Sequence, residues 1–539
     1  MTQITATGLS ISFGIQTILE NISFSVEEGE RIGLVGANGT GKSTLLSLIE
    51  GSLLPDEGSV WHKSGSTFSV LRQSPMEGSM KEEIVESSLT ASILLQTQLA
   101  GYVKEEIMAG SIAVTFKKYM RLLNLDEDIF SRLDHLSGGD KTKLALSALL
   151  SHESTVLLLD EPTNNLDYEG ISVLIEVIRN YGGTVVIVSH DRYFLDQTVD
   201  RILELENHHL TSFSGNYSEY KRQKTALFEE SVHRYEVGKK EQKRIKDEIQ
   251  GVRAWSEKAH RESRKKDRSG NKMGMKEFKR AKAKKMDQKV KNDTHRLERL
   301  IENSEKRPYE QRAVRFEISS GGNRGRRILE ARDLSMAFGD HPLFTDSNFY
   351  LQRGEKCALF GRNGCGKSTL LSMILQLMPP TSGSLWVSQS STPSFLPQTF
   401  SGFPPEEITL RHLMDTVGKL DGNDRALLSN IGITKEMLER KIGTLSFGEQ
   451  MKLKLIEPIL LKKDFIIMDE PTNHLDISMR EKLEETLIEY DGTLLIASHD
   501  IFLLRGVCNK VLLFENGVIR RLEDTFDDFW EKFESGGHR

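Results

Sequence analysis

The sequence predicts an α/β protein with two similar domains in tandem, joined by a long α-helical hairpin linker. A nine-residue run at 36–44 recurs at 361–369, an offset of 325 residues, and such internal repetition marks duplicated folding units. Short apolar runs alternate with helical segments in both copies, which is typical of parallel sheets covered by helices. No proline occurs between Pro162 and Pro308, and the segment between the copies places apolar residues at helical spacing. We expect domains at residues 1–216 and 309–539, with the hairpin at 217–308.

Both copies contain the elements of a parallel sheet in the same order. Each predicted strand is a run of apolar residues bounded by turns or charges, and the first strand precedes a glycine-rich turn and an apolar helix. Beyond the first third of each copy the offset falls from 325 to 309, so the first copy carries 16 extra residues between Gln73 and Ser137. The predicted strands lie at 31–35, 156–159, 185–188, 357–360, 465–468 and 494–497, and the helices at 43–49 and 368–373.

Composition excludes several classes of protein. No stretch approaches the roughly 18 apolar residues of a membrane-spanning helix, and the first residues lack the charged and apolar regions of a secretory signal. The three cysteines cannot form a disulfide framework, a four-cysteine zinc site or an iron–sulfur cluster. We therefore expect a cytoplasmic protein outside the membrane.

The repeated run has the pattern GxxxxGK[ST] of a phosphate-binding loop. Its glycines let successive N–H groups face phosphates, and the helix that follows adds partial positive charge. Lys42 and Lys367 are expected to reach the β- and γ-phosphates of ATP, and Ser43 and Ser368 to bind Mg²⁺. The predicted nucleotide-binding residues are Gly36, Asn38, Gly39, Gly41, Lys42, Ser43 and Thr44 in the first copy, and Gly361, Asn363, Gly364, Gly366, Lys367, Ser368 and Thr369 in the second.

An acidic pair follows the second predicted strand of each copy. Asp160 and Asp469 end their strands, at the sheet edge where α/β proteins bind ligands, and are expected to hold Mg²⁺ through water. Glu161 and Glu470 come next and are suited to polarise the attacking water. A single Asp-Glu pair would more often be a solvated turn, but its repetition before Pro-Thr-Asn favours a catalytic role.

Two further residue types recur at fixed spacing. His190 and His499 follow the next predicted strand, and their recurrence favours a hydrogen bond to the γ-phosphate over a packed or solvent-facing histidine. Phe13 and Phe338 each lie 23 residues before the phosphate loops. Their matched spacing favours stacking on adenine over the default of a core aromatic.

Together with Gln73 and Gln398 and the Leu-Ser-x-Gly runs at 136–139 and 445–448, these motifs resemble two ATP-binding cassettes, a type of P-loop NTPase domain. The resemblance implies that both glutamines contribute to the nucleotide and Mg²⁺ sites. It also implies a monomer whose cassettes form a head-to-tail sandwich. In that sandwich residues 36–44 would face Ser446, Gly448 and Glu449, and residues 361–369 would face Ser137, Gly138 and Gly139. Phe447 departs from the family pattern, which has a glycine there.

The linker is strongly basic. Residues 221–310 hold 29 Lys and Arg against 16 Asp and Glu, so they carry +13 and the remainder −19, although the whole chain carries only −6. Helical spacing on either side of Asp267–Met275 predicts two antiparallel helices, with arms of about 45 to 60 Å. A solvated spacer is the default for a charged helix. Because 15 basic residues and only 4 acidic ones crowd into 258–291, we favour binding to nucleic acid. RNA is favoured because no DNA-reading motif is present.

Two cassettes, no membrane domain and a basic helical linker resemble the ABC-F family of ribosome-binding ATPases. The linker runs Trp255–His260 and Lys276–Lys285 resemble its antibiotic-resistance members of the Vml/Vga type. That resemblance implies binding in the ribosomal E site, beside 23S rRNA and the P-site tRNA, and release of lincosamides, pleuromutilins or streptogramin A. It implies that the hairpin tip reaches toward the peptidyl-transferase centre through Lys272, Met273, Met275 and Lys276.

Three other functions remain open from the sequence. A housekeeping ABC-F translation factor would act on stalled or initiating ribosomes and leave drug susceptibility unchanged. A DNA-repair-associated ABC ATPase would respond to DNA. An ATPase of a separate permease would be found in membrane fractions, and the basic linker would then have no purpose.

Overall fold

A computed structural model describes residues 1–72, 111–125, 138–152, 154–264, 273–302, 326–339, 341–391, 393–398, 403, 405–473 and 475–535. The chain divides into two compact units, Met1–Tyr220 with Arg312–Arg539, and Lys221–Gln311. The first unit contains both predicted α/β domains, which we call cassette one and cassette two. The second unit contains the linker.

Cassette one contains a six-stranded and a three-stranded sheet. The larger has the order β5-β6-β7-β3-β8-β9, with only β8 and β9 antiparallel, and the smaller is antiparallel with the order β2-β1-β4. The elements are β1 (Thr2–Phe13), β2 (Gln16–Glu27), β3 (Arg31–Val35), α1 (Lys42–Glu50), β4 (Glu57–His62), β5 (Phe68–Leu71), α2 (Ser111–Leu122), α3 (Gly138–Leu150), β6 (Val156–Asp160), α4 (Tyr168–Arg179), β7 (Thr184–Val188), α5 (Arg192–Thr198), β8 (Arg201–Glu206) and β9 (His209–Ser214).

Cassette two repeats this architecture. Its sheets have the orders β14-β15-β16-β12-β17-β18 and β11-β10-β13. The elements are β10 (Arg327–Phe338), β11 (His341–Gln352), β12 (Lys356–Phe360), α8 (Lys367–Ile374), β13 (Ser382–Val387), β14 (Ser394–Leu396), α9 (Thr409–Val417), α10 (Gly422–Asn430), α11 (Lys435–Glu439), a 3₁₀ turn (Ile442–Thr444), α12 (Phe447–Leu460), β15 (Phe465–Asp469), α13 (Ile477–Glu489), β16 (Thr493–Ala497), α14 (Ile501–Val507), β17 (Lys510–Glu515), β18 (Val518–Leu522) and α15 (Phe526–Ser535).

The predicted α/β class, with two tandem cassettes, is confirmed. Every residue of β6, β7, β15 and β16 is buried, as expected for parallel strands covered on both faces. The small antiparallel sheets were not predicted from the sequence. Most of the interval between Gln73 and Ser137, which holds the 16 extra residues, lies outside the described part of the chain. Within it the structure describes residues 111–125, which include α2.

The linker unit is a pair of helices, α6 (Tyr217–Arg264) and α7 (Met273–Glu302). Ile245 and Ile249 are buried, and Arg296 Nη2 donates to Glu241 Oε1 at 3.0 Å, which joins the two helices. The hairpin prediction is therefore confirmed. The predicted tip residue Lys272 lies outside the described residues, whereas Met273, Met275 and Lys276 lie in the first turn of α7. Within the described ranges no helix is long and apolar enough to cross a membrane.

The strand that leads into the second phosphate loop is anchored by aromatic packing. Phe360, the last residue of β12, is 1% exposed. Its ring lies 4.9 Å from the ring of Tyr168 in cassette one and 5.4 to 6.2 Å from four aromatic rings of α15. Aromatic pairs at these distances add to the free energy of burial. One side chain thus joins the second phosphate loop, the last helix and the other cassette.

We expect Phe360→Ala to lower the free energy of unfolding by about 3 to 5 kcal/mol, because the truncation leaves a cavity among these rings. Urea denaturation followed by circular dichroism measures the change. Trp386→Ala, at a half-exposed tryptophan of β13, is the matched control. Equal losses in the two variants would contradict the anchoring role of Phe360.

Candidate functional site

The residue before the helix in each phosphate loop has a left-handed backbone, a conformation that glycine adopts without steric cost. Gly41 and Gly366 are the N-caps of α1 and α8, with φ of 102° and 104°. A Cβ at Gly41 would also collide with the side chain of Ile18. These glycines aim the N-terminus of each helix at the loop, where backbone N–H groups and the helix dipole attract anions.

The loop lysines curl back over their own loops. Lys42 Nζ donates to Gly36 O and Ala37 O, both at 2.9 Å, and Lys367 Nζ donates to Gly361 O at 2.7 Å. Burial lowers the pKa of Lys42. Both ammonium groups are buried at the N-terminus of a helix, and a positive charge in this position fits the phosphates of a nucleotide.

A hydroxyl and a carboxylate meet at the edge of each main sheet. Ser43 Oγ donates to Asp160 Oδ2 at 2.7 Å, and Ser368 Oγ donates to Asp469 Oδ2 at 2.9 Å. Burial raises the pKa of both aspartates. Oxygen atoms of these two types are the ligands that Mg²⁺ takes in nucleotide sites, so each pair fits the metal.

The next residue in each cassette is a strained and buried glutamate. Glu161 and Glu470 have φ of 53° and 48°, an uncommon conformation for a residue with a side chain and one that is concentrated at functional sites. Glu161 Oε2 accepts from His190 N at 3.2 Å, while its Oε1 is buried and has no hydrogen-bond partner among the described residues. Burial raises the pKa of each glutamate to about 7.

The predicted histidines contact these glutamates and the phosphate loops. His190 Nε2 donates to Asn38 Oδ1 at 3.0 Å, and His499 Nε2 donates to Asn363 Oδ1 at 3.1 Å. Burial lowers the pKa of His499 to about 3, and it also places the pKa of His190 well below its ordinary value. Both imidazoles are therefore neutral near pH 7.

The second site is a cavity of about 540 Å³ between the cassettes. Its walls include predicted residues of cassette two and the signature glycines of cassette one, an arrangement that matches the head-to-tail pairing. Phe338, half-exposed, lines it as well. The predicted residues on its walls are Gly138, Gly139, Phe338, Asn363, Gly364, Gly366, Lys367, Ser368, Thr369, Gln398, Asp469, Glu470 and His499.

The first site is a smaller cavity of about 260 Å³. Its described walls come from cassette one only, and Ser446 and Glu449 are not among them; the predicted contact of Gly448 lies outside the described part of the chain. Ser446 instead caps α12: its Oγ accepts from Glu449 N at 3.3 Å, and its N donates to Glu449 Oε2 at 2.8 Å. Gln73 and Ser137 lie outside the described residues. The predicted residues on the walls are Phe13, Asn38, Gly39, Gly41, Lys42, Ser43, Thr44, Asp160, Glu161 and His190.

Two aspartates that the sequence analysis did not single out connect each loop to the opposite cassette. Asp167 Oδ2 accepts from Asn363 N at 3.1 Å, and Asp476 Oδ2 accepts from Asn38 N at 3.2 Å. The Oδ1 atom of each caps its own helix, α4 or α13. Their recurrence seven residues after Asp160 and Asp469 was the available signal.

Comparison with known proteins agrees with this geometry. The family model described as "ABC transporter" matches residues 19–164 and 344–473. The chain is 38% identical to "Ribosome protection protein VmlR" of Bacillus subtilis, over 97% of this chain and 88% of that protein. It is 30% identical to "ABC transporter F family member 2" of Arabidopsis thaliana, over 97% and 78%. The solved structure "RNase-L Inhibitor" superposes with a TM-score of 0.60 at 18% identity, over 98% of this chain and 92% of that one.

We expect Lys42→Ala and Lys367→Ala each to raise the Kd for ATP at the altered site by about tenfold or more, because each removes a charged hydrogen-bond donor of roughly 1.5 to 3 kcal/mol. Titration with a fluorescent ATP analogue measures the binding. In the control Lys356→Ala, the lost ammonium donates to Ile488 O outside both sites. Unchanged affinity in both loop variants would contradict the assignment.

Proposed function

We propose that this chain, which belongs to the ABC-F family of ATP hydrolases, binds the ribosome in its ATP-bound state and protects it from antibiotics. The proposed binding site is the E site, where the hairpin at 217–308 would contact 23S rRNA and the P-site tRNA. The proposed outcome is release of lincosamides, pleuromutilins or streptogramin A from the peptidyl-transferase centre.

The observation that carries this proposal is a basic hairpin between two acidic ATPase domains. Its inner face is occupied by Ile245 and Ile249, so the charged side chains face outward. Lysine and arginine on such a rod neutralise phosphates and release counterions. The name of the VmlR relative supplies the ribosome as the source of those phosphates. The exposed residues include Trp255, Lys258, Arg261, Lys282, Lys284 and Lys285.

ATP binding and hydrolysis would switch the chain between a ribosome-bound and a released state. Bound ATP with Mg²⁺ supplies a phosphoanhydride bond whose hydrolysis can end the bound state. We propose that Lys42 and Lys367 hold the phosphates and that each Ser–Asp pair holds the metal. Glu161 and Glu470 would orient the attacking water. The neutral His190 and His499 each have one N–H, which donates to a loop asparagine in this structure and would donate to the γ-phosphate instead when ATP is bound.

Contacts between the cassettes support coupling of nucleotide occupancy to the linker. Asp167 and Asp476 hold the loops of the opposite cassette. In addition, Tyr217, the first residue of α6, donates to Glu481 Oε1 of cassette two at 2.8 Å and packs 5.9 Å from the Phe502 ring. Closure of the cassettes would therefore fix the beginning of the first linker helix.

We expect the double variant Glu161→Gln/Glu470→Gln to accumulate on ribosomes with ATP, because amides in place of the carboxylates block hydrolysis while ATP still binds. Co-sedimentation through a sucrose cushion measures the bound fraction. Glu206→Gln/Glu515→Gln is the matched control, since these exposed glutamates are related by the same offset of 309. If the double variant stays in the supernatant with ATP, the ribosome proposal is wrong.

Drug susceptibility separates protection from a housekeeping role. Expression of the unaltered chain should raise the inhibitory concentration of at least one of the three drug classes, and the double variant should not. Ribosome accumulation with unchanged susceptibility to all three would favour the translation factor. ATPase activity stimulated by DNA, without ribosome binding, would favour the repair ATPase.

We expect Lys282→Gln/Lys284→Gln/Lys285→Gln to weaken ribosome binding. If each lysine neutralises one phosphate, the slope of the logarithm of the binding constant against the logarithm of the salt concentration should become less steep by roughly 2 to 3. Binding of the hydrolysis-deficient chain at several KCl concentrations measures both quantities. Lys419→Gln/Lys435→Gln/Lys462→Gln removes the same charge from exposed positions of cassette two. Equal slopes for the two triple variants would argue against phosphate contact by the hairpin.

A further inference from the structure

Trp255 is the only tryptophan of the first linker helix, α6, and it lies away from the buried face of the hairpin. Ile245 and Ile249 are 1% and 6% exposed, whereas Trp255 is 66% exposed. Ten residues at 3.6 per turn place Trp255 about 80° around the helix from Ile245. Within the described part of the chain, its indole forms no hydrogen bond and no ring contact. This indole therefore adds little to the packing of the hairpin.

The space beside the Trp255 indole is open. Gly251 precedes Trp255 by four residues, so the two share one face of α6, and helical side chains lean toward the preceding turn. Among the described residues, no atom lies within 4 Å of the position that a Cβ of Gly251 would take. Glycine inside a helix is destabilising relative to alanine, and no close contact requires it here. The glycine leaves room for a planar group beside the indole.

Cations of both helices lie near Trp255. The bond between Arg296 and Glu241 sets the antiparallel register, and fourteen residues nearer the tip Trp255 lies level with Lys282. On α6, Glu257 is the only acidic residue between Arg253 and Arg261. Six exposed cations of this region have no ion-pair or hydrogen-bond partner within the described part of the chain, and they are Arg253, Lys258, Arg261, Lys282, Lys284 and Lys285. The surroundings of the indole are therefore suited to a polyanion.

We propose that Trp255 stacks on an unpaired nucleobase of RNA, while the lysines and arginines around it bind the adjoining phosphates. Every base has a planar π-face, so an aromatic side chain on a basic surface is a stacking platform for single-stranded nucleic acid. The cations neutralise phosphates, and the indole adds an attraction that carries no charge. Unpaired bases of 23S rRNA and of P-site tRNA share this chemistry. The inference rests on the proposed function, in which the hairpin binds the ribosome.

Ribosome binding by the full chain tests the stacking contact. With ATP and in the Glu161→Gln/Glu470→Gln chain, we expect Trp255→Ala to raise the Kd for bacterial ribosomes by about tenfold, as for the loss of one stacked base. Trp255→Phe should keep part of the affinity, because a phenyl ring also stacks on bases. The dependence of the Kd on KCl concentration should keep its slope, since no charge is removed. Trp61→Ala is the control, because Trp61 is a 54% exposed tryptophan in cassette one.

Gly251→Leu tests the open space beside the indole. Leucine is a better helix former than glycine, so the variant should be at least as helical as the unaltered chain by circular dichroism. Its side chain would occupy the room for the base, and we expect the Kd to rise by about tenfold. Gly238→Leu is the matched control, since Gly238 also lies in α6 with open space at its Cβ position. An equal Kd for the two leucine variants overturns the proposal.

Ultraviolet cross-linking identifies what contacts the indole. Ribosome complexes of the hydrolysis-deficient chain, prepared with and without tRNA in the P site, are irradiated and digested with ribonucleases and trypsin. We expect a nucleotide adduct on the peptide of residues 254–258. An adduct in both preparations assigns the base to rRNA, an adduct only with tRNA assigns it to the tRNA, and either supports the proposal. An adduct to a ribosomal protein instead of a nucleotide overturns it.

The outcomes separate this inference from the proposed function. If the hydrolysis-deficient chain with Trp255 intact does not sediment with ribosomes, the proposed function is wrong and the inference falls with it. If that chain sediments and Trp255→Ala has the same Kd, the inference alone is wrong. A loss of affinity in Trp255→Ala that comes with a less steep salt dependence also overturns the inference, because it would report lost phosphate contacts rather than lost stacking.

Discussion

The arrangement of both ATP sites depends on one reciprocal interaction, the bond from an aspartate carboxylate of each cassette to a loop amide of the other. Asp167 and Asp476 each use one oxygen to cap their own helix and the other oxygen to bind Asn363 N or Asn38 N. Because a single carboxylate makes both contacts, it fixes the start of its own helix relative to the phosphate loop of the other cassette. A shift of one cassette relative to the other would break both loop contacts, whereas each helix cap, which lies within one cassette, would remain.

The contacts of Asp167 and Asp476 are symmetric, but the surroundings of the two ATP sites are not. The second cavity is lined by signature glycines of the opposite cassette, whereas Ser446 and Glu449 bind each other at the start of α12. The described walls of the two sites, which share the same motifs, therefore differ in what the opposite cassette contributes. Sequence motifs identify the residues that each cassette contributes to its own site, but the difference between the sites arises from residues of the opposite cassette.

The sequence predicted the parallel strands and the motif residues because both are local. A run such as Val185–Val188 is apolar throughout, and its burial follows from that alone. The antiparallel sheet escaped prediction because β1 carries several register shifts, which break the period-two pattern of a half-buried strand. Arg192 and Arg480 escaped it for another reason. Their ion pairs with Glu484 and Asp500 depend on which helices meet, within and between the two cassettes, and no local sequence pattern encodes that contact.

Ion pairs between the cassettes also determine which halves can pair. Arg192 of cassette one donates to Glu484 and Asp500 of cassette two, whereas the offset of 309 relates Arg192 to Ile501 and Glu484 to Ile175. Two copies of cassette one would set Arg192 against Ile175, without the carboxylate of Glu484. Two copies of cassette two would bury Glu484 and Asp500 with Ile501 in place of Arg192. Removing one partner from a buried ion pair costs about 3 to 5 kcal/mol. The interface thus discriminates against like halves as well as stabilising unlike ones, so that a cassette is matched to the other half of its chain rather than to a copy of itself.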